Sequence, residues 1–338
     1  IFNMKSRSHI LSISEIKNIS ILMKKKRILV AGGTGLLGSS LSNLLSKNEN
    51  YLLTSSYLNS KPIKLLKHKY KRYDFLKYKD CLKATKAKDV VIVSAVKAGG
   101  IKHLKEDPTE NLIDNVKIRI NLFQAALENK VKKVIWVSSS TAYQPFKKKI
   151  SEKKIDFNLN PYPDYLITGN VYRFLENILK FYQSKGIDIC IVRTSSIYGP
   201  NDNFNPKKSH VIPALIKKIF DAKKNKIEIW GNPHVIRDFV YVEDLAKAVV
   251  LLIKKKISAP INFSHGEGLS IINLAKKLIK LSGKKINFKF INPKLSSAPY
   301  RVLENNEFNK IFKRFKRTNI DDGLKKTIDW YLNEKRKY

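Results

Sequence analysis

Short apolar runs alternate along this chain with longer stretches in which apolar residues recur every three or four positions. Arg27–Ala31 (RILVA) reads as a strand, the following GGTGLLG as a turn, and Ser39–Ser46 as a helix. Further strands are predicted at Tyr51–Ser55, Asp89–Ala95, Lys133–Ser138 and Asp188–Arg193. Helices are predicted at Lys79–Lys88, at Asn111–Asn129 through Leu112, Val116, Ile120, Leu122 and Ala125, and at Tyr165–Lys185. Strands that are apolar throughout, rather than at every second residue, are buried on both faces, so the expected class is α/β with a parallel sheet between two helical layers. Beyond Gly199-Pro200 the pattern continues with helices Val211–Ala222, Val242–Lys254, Ser270–Ser282 and Ile320–Glu334 and strands Ile227–Trp230, Ile261–Phe263 and Ile286–Ile291. The expected organisation is an N-terminal extension, 1–22, without order, a first domain over 23–200, and a smaller α/β substrate-binding segment over 201–338 whose elements can cross back to the first.

Composition narrows the class. Of 338 residues, 43% are hydrophobic and 28% charged, which supports a sizeable core and excludes wholesale disorder. No run approaches the ~18 apolar residues of a membrane helix, so no membrane partner is expected. Lys and Arg number 66 against 28 Asp and Glu, a net charge of +38. Such a balance first raises nucleic acid, but the lysines are scattered through every element and form no basic arm. They read as a solvated surface that also attracts an anionic substrate, and no nucleic-acid partner is expected. Cys81 and Cys190 carry no metal-ligand spacing and read as reduced thiols of a cytoplasmic protein, with no metal site. Residues 1–22 do not read as a secretory signal, and Met23 is expected near the natural start.

Gly32, Gly35 and Gly38 form a G-x-x-G-x-x-G turn between the first strand and the first helix. Glycine lets the backbone approach a pyrophosphate, and the helix start around Leu36 and Leu37 offers amide donors and a partial positive charge. A carboxylate commonly ends the second strand of such a unit and holds a ribose 2′-hydroxyl. Here that strand ends Thr54-Ser55-Ser56, and Lys61 and Lys64 follow, which favours a 2′-phosphate: NADP, with NAD as the alternative.

Several segments together resemble the extended short-chain dehydrogenase/reductases, the NAD-dependent epimerase/dehydratase family that acts on nucleotide sugars. They are the glycine turn, Asp74-Phe75-Leu76, Ser138–Tyr143 (SSSTAY), Arg193–Pro200 (RTSSIYGP) and Arg237–Leu245 (RDFVYVEDL). Within it, Ala95–Ile101 (AVKAGGI), Gly199–Pro206 (GPNDNFNP) and Ser209–Ile216 (SHVIPALI) resemble the GDP-L-fucose synthases. The resemblance implies a Rossmann-type doubly wound sheet with a smaller C-terminal substrate domain. It also implies NADPH-dependent epimerisation and reduction of a GDP-4-keto-6-deoxy-hexose, with another nucleotide-sugar epimerase or dehydratase, such as a heptose-modifying enzyme, as the alternative. It assigns cofactor contacts to Asp74, Leu76, Ala95, Lys97 and Ser196. Ser139 and a tyrosine would polarise the carbonyl and His210 would act as general acid, while Thr141 stands where the family has a cysteine base. Lys218, Trp230, Arg237 and Arg301 are implied substrate contacts. A homodimer is implied through the helices over 111–129 and 165–185, whose apolar stripes include Leu112, Val116, Ile120, Phe174, Leu179 and Phe181.

The family's Tyr-x-x-x-Lys pair, four residues apart on one helix face, is altered. Counting from Tyr165 puts Gly169 at the lysine place, whereas counting back from Glu176 puts Thr168 at the tyrosine place and Tyr172 at the lysine place. Three readings stay open: catalysis by Tyr165 or Tyr172 with a cation such as Lys97 or Arg173, dinucleotide binding with little turnover in a regulatory module, or a different reaction in the same pocket.

Overall fold

The computed structural model describes residues 25–60, 62, 68–97, 109–206, 208–223, 225–292 and 298–335. Lys61, Lys64, the 1–22 extension and Gly99-Gly100 lie outside them. The first segment carries β1 (Lys26–Ala31), β2 (Tyr51–Tyr57), β3 (Lys69–Arg72), β4 (Val90–Val93), β5 (Lys133–Ser139) and β6 (Asp188–Thr194). Between them lie α1 (Leu36–Ser46), α2 (Tyr78–Thr85), α3 (Thr109–Glu128) and α4 (Leu166–Ser184). The chain continues through β7 (Ser196–Tyr198), α5 (Val211–Asp221), β8 (Lys226–Trp230), β9 (Ile236–Arg237), β10 (Phe239–Tyr241), α6 (Val242–Leu252) and β11 (Ile261–Phe263). It closes with β12 (Leu269–Ser270), α7 (Ile271–Ser282), β13 (Asn287–Ile291), β14 (Tyr300–Arg301), α8 (Asn306–Ile311) and α9 (Ile320–Lys335).

Seven strands form one parallel sheet in the order β11-β6-β5-β4-β1-β2-β3. The two-residue alternation of a strand sorts β1 between two cores. Ile28 and Val30 join α1 and α6 on one face, and Leu29 and Ala31 join α2, α3 and α4 on the other. Each fully buried aliphatic side chain contributes about 1.5–3 kcal/mol of transfer free energy, which is why the strands read as unbroken apolar runs. The strand order reverses at β1, so a ligand crevice opens beyond the carboxyl ends of β1 and β4.

One feature departs from the sequence expectation, and another concerns the crossing back that it allowed for. β3 (KYKR) carries no apolar run because it is the exposed outer strand, where lysines protect an open edge. The later segment is not self-contained: β11 adds to the edge of β6, and α6 lies on α1 within the same core. A third core gathers α5, α7 and α9 with the β8–β13 pair. There, α7 starts on a Ser270 hydroxyl that accepts the Asn273 amide and stops at Gly283 with φ +67°. Among the described residues, no helix is long and apolar enough to cross a membrane.

Candidate active site

The glycine turn shows which glycines the protein itself requires. Gly32 has φ +87°, and a Cβ there would sit 2.7 Å from the Ala95 Cα. A Cβ on Gly38 would meet the Gly32 carbonyl oxygen at 1.9 Å, whereas one on Gly35 would find nothing closer than 3.5 Å. The protein therefore leaves space open at Gly35, which starts α1 with no side-chain cap. The first-turn amides of Leu36 and Leu37 face an approaching anion there, and the cradle fits the pyrophosphate of a dinucleotide.

The hydroxyls that end β2 turn inward. Ser56 Oγ accepts the Gly32 N–H at 2.7 Å, and Ser55 Oγ is 2.7 Å from Ser42 Oγ and 2.9 Å from His68 Nε2. Thr54 Oγ1 accepts from Lys88 Nζ at 2.8 Å. The expectation that these hydroxyls wait for a 2′-phosphate is thus corrected: they brace the glycine turn from behind. His68, missed in the sequence, completes that brace, and burial lowers its pKa. Asp74 Oδ1 accepts the Leu76 N–H at 3.1 Å and shapes the loop before α2. Beyond β4, Ala95 lies against Gly32, and the Lys97 backbone is bracketed by the Asn115 side chain at 2.8 and 3.0 Å. Lys97 Nζ pairs with Asp114.

Ser139 ends β5. Its Oγ accepts both the Thr141 N–H at 3.1 Å and the Thr141 hydroxyl at 3.0 Å. With two acceptor positions filled, Ser139 keeps one hydroxyl hydrogen to donate. Ser196 donates its N–H to the Asp238 carbonyl, tying β7 to the strands beside it.

Helix α4 is set in rotation by a buried pair. Arg193 donates to Glu176 at 2.6 Å through Nη2 and at 3.0 Å through Nε, and Ser138 Oγ donates to Glu176 at 2.7 Å. Glu176 thereby fixes the face carrying Tyr172, Gly169 and Thr168. At Gly169 a Cβ would lie 2.4 Å from the Thr141 carbonyl oxygen and 2.6 Å from Pro161 Cβ, so no lysine fits there. Tyr165 stands before the helix, in the short turn Pro163–Tyr165, where Arg301 lies 4.7 Å over its ring and Arg237 donates to its hydroxyl. Tyr172 stacks on Trp136. Arg173 is buried and bound to the Ala142 and Leu159 carbonyls at 2.6 Å each, so it braces the chain.

The later segment brings its cations to the same edge. Arg237 is buried, donates to the Ala298 carbonyl at 2.6 Å, and is pushed down to about 10 by burial first and by the neighbouring Arg301 charge second. His210, at the start of α5, is reachable by solvent but ringed by protein, and that enclosure together with Arg301 lowers its pKa. Lys218 and Trp230 stand apart from this group: Lys218 Nζ donates to the Glu228 carbonyl at 2.7 Å, and Trp230 on β8 is exposed. Asp238, buried among the loops, accepts the His265 and Gly266 amides at 2.9 and 3.1 Å and anchors the strand beside Arg237. Cys81 and Cys190 are buried, and burial pushes both thiols up to about 12.

Comparison with known proteins agrees with this architecture. A sequence profile of the NAD dependent epimerase/dehydratase family matches residues 28–264. GDP-L-fucose synthase 1 of Arabidopsis thaliana is 28% identical over 327 residues, covering 94% of this chain and 96% of that protein. The crystal structure of a GDP-L-fucose synthetase from Naegleria fowleri bound to NADP matches with a TM-score of 0.77 at 22% identity, over 93% of this chain and 94% of that one. UDP-glucose 4-epimerase of Thermus thermophilus, in complex with NAD, matches with a TM-score of 0.78 at 21% identity, over 90% and 99%. A profile match of that extent, with a glycine cradle open for a nicotinamide dinucleotide, makes this chain an enzyme of the NAD dependent epimerase/dehydratase family.

Proposed function

We propose that the protein epimerises and reduces a keto-sugar carried on a nucleoside diphosphate, in the manner of a GDP-L-fucose synthase. The observation that carries this reading is the pressing together of Arg237 and Arg301 beside Tyr165 and His210. Two guanidinium groups on paired strand positions, with Arg301 adding to the burial that lowers the proton affinity of Arg237, call for an anion, and a sugar diphosphate suits their planar forks. Ser139 turns its free hydrogen to the sugar carbonyl. When bound, the reduced dinucleotide would supply hydride chemistry, and Ser139 would hold the carbonyl oxygen and pass it the proton it needs. His210 would deliver a proton to one face of the neighbouring carbon, the proton lost from the other face passing to solvent. A diphosphate against Arg301 offsets that guanidinium and raises the readiness of His210 to hold a proton. Thr141 keeps its hydroxyl hydrogen on Ser139 and acts by orienting it.

Similarity to the GDP-L-fucose synthases favours a GDP-sugar, NADPH and a cytoplasmic homodimer. Ile167, Phe174 and Phe181 favour the dimer too, because they are more than half exposed along one side of α4 at seven-residue spacing. The decisive experiment follows NADPH absorbance with a GDP-4-keto-6-deoxy-hexose. Oxidation coupled to loss of the keto-sugar is expected, and no turnover with any nucleoside-diphosphate keto-sugar would overturn the reading. A second reading, a dinucleotide-binding module with little turnover, is favoured by one observation: position 169 is sterically closed, and the lysine of α4, Lys180, stands three turns further on, over the Phe157 ring.

A further inference from the structure

Arg119 of α3 is only 5% exposed, and among the described residues no carboxylate pairs with it. Its Nη1 donates to the Asn115 carbonyl at 3.2 Å and its Nη2 to the Tyr172 hydroxyl at 3.4 Å, while Nε is buried without a partner. The guanidinium lies 5.3 Å over the Tyr172 ring, and Tyr172 stacks on Trp136 with centroids 5.6 Å apart and planes 14° apart. Stacking and two hydrogen bonds offset part of the cost of burying a charge, but a buried cation without a counter-charge still favours a negatively charged or oxygen-rich ligand.

Its position shows which ligand. Asn115, one turn earlier on α3, brackets the Lys97 backbone just beyond the carboxyl end of β4. Glu176, one turn after Tyr172 on α4, is bonded to Ser138, the neighbour of Ser139. The Arg119–Tyr172 contact therefore bridges α3 and α4 between the dinucleotide side of the crevice and the Ser139 side. The other charges nearby are already matched, Lys97 with Asp114 and Glu176 with Arg193.

We infer that Arg119, acting together with the Tyr172 hydroxyl, supplies the positive charge that holds the nicotinamide-ribose half of the dinucleotide. Helix α4 cannot supply it, because position 169 is closed and position 172 is a tyrosine. The cation comes instead from α3, and Arg119 is a positioning residue. This inference rests on the dinucleotide reading of the glycine turn.

Calorimetry on the full chain tests it with two probes, intact NADP+ and its adenosine half, adenosine 2′,5′-bisphosphate, with NAD+ and ADP in parallel. Arg119→Met is expected to weaken the intact dinucleotide by about tenfold or more and to leave the adenosine half within about twofold. Arg119→Lys, which keeps a charge but loses the fork, is expected to recover part of the loss. Tyr172→Phe, which keeps the ring stack, is expected to lose a smaller part, again for the intact dinucleotide alone. Equal weakening of both probes would mean that Arg119 only holds α3 against α4, and unchanged affinity for both would mean that the ligand does not meet it; either result overturns the inference. Should Arg119→Met fail to fold, the ratio between the two probes in Arg119→Lys and Tyr172→Phe decides in the same way. A wild-type chain that binds neither dinucleotide would overturn the functional reading together with this inference, whereas normal binding with an unchanged ratio overturns the inference alone.

Discussion

Gly169 faces the carbonyl oxygen of Thr141 so closely that a Cβ there would lie 2.4 Å from it. The contact presses the second turn of α4 onto the turn that follows Ser139, with Pro161 closing the other side. Neither neighbour is the end of a flexible side chain, so one of two backbones must give way.

Gly169→Ala is accordingly expected to destabilise the protein by about 1–3 kcal/mol, the usual cost of overpacking, read from urea unfolding midpoints. Gly169→Lys is expected to cost more and to bring no gain in reductase activity. An unchanged midpoint for Gly169→Ala would show that the Thr141 turn yields freely.

The Glu176–Arg193 pair is buried and shared with Ser138. Removing one partner leaves an uncompensated charge in the interior, so Glu176→Gln or Arg193→Met is expected to cost about 3–5 kcal/mol. Their double variant is expected to cost less than the sum of the two. Additive losses in denaturant titrations would mean that the two side chains do not act as a unit.

His210 is held below its usual pKa by enclosure first and by Arg301 second. The folded chain therefore resists protonating it, and the neutral imidazole prevails at neutral pH. Arg301→Met removes one of the two causes, so the imidazole titration, followed by NMR, is expected to move to higher pH. The KM for a diphosphate sugar is expected to rise by about tenfold or more with loss of the guanidinium. A titration that stays in place would separate Arg301 from His210.

Phe174 and Phe181 are 51% and 56% exposed on α4. Replacing both with aspartate is expected to convert a dimer to a monomer in sedimentation velocity and to leave the unfolding midpoint within about 0.5 kcal/mol, as for surface substitutions. A wild-type chain that sediments as a monomer at micromolar concentration would remove the dimer.

Much of the central sheet was legible because its information is local. The apolar run of β1, the glycine turn and the periodic start of α1 lie within about twenty consecutive residues, and their roles follow from period and backbone freedom. β3 was hidden, since an exposed edge strand needs no apolar signature. Site residues were legible as types, less so as orientations. The serines of β2 suggested hydroxyls near a ribose, but whether they face the crevice or the helix behind depends on His68 and Ser42, brought there by the fold. The closure at Gly169 depends on Pro161 and Thr141, and no spacing rule reports it. Arg119 occupies an ordinary helical slot in a lysine-rich chain, and only its enclosure against Tyr172 sets it apart from the many surface cations.

The pairing of β11 with β6 and the seating of α6 on α1 also bear on how the crevice can open. A chain divided by a flexible hinge near residue 200 could swing its halves apart to release product. Here such a swing would tear a strand from the sheet and strip α1 of its cover, so entry and exit fall to the loops at the rim. For the same reason, a fragment ending near residue 200 would carry a raw sheet margin and a greasy helix, and would be expected to clump rather than work as a free-standing dinucleotide trap.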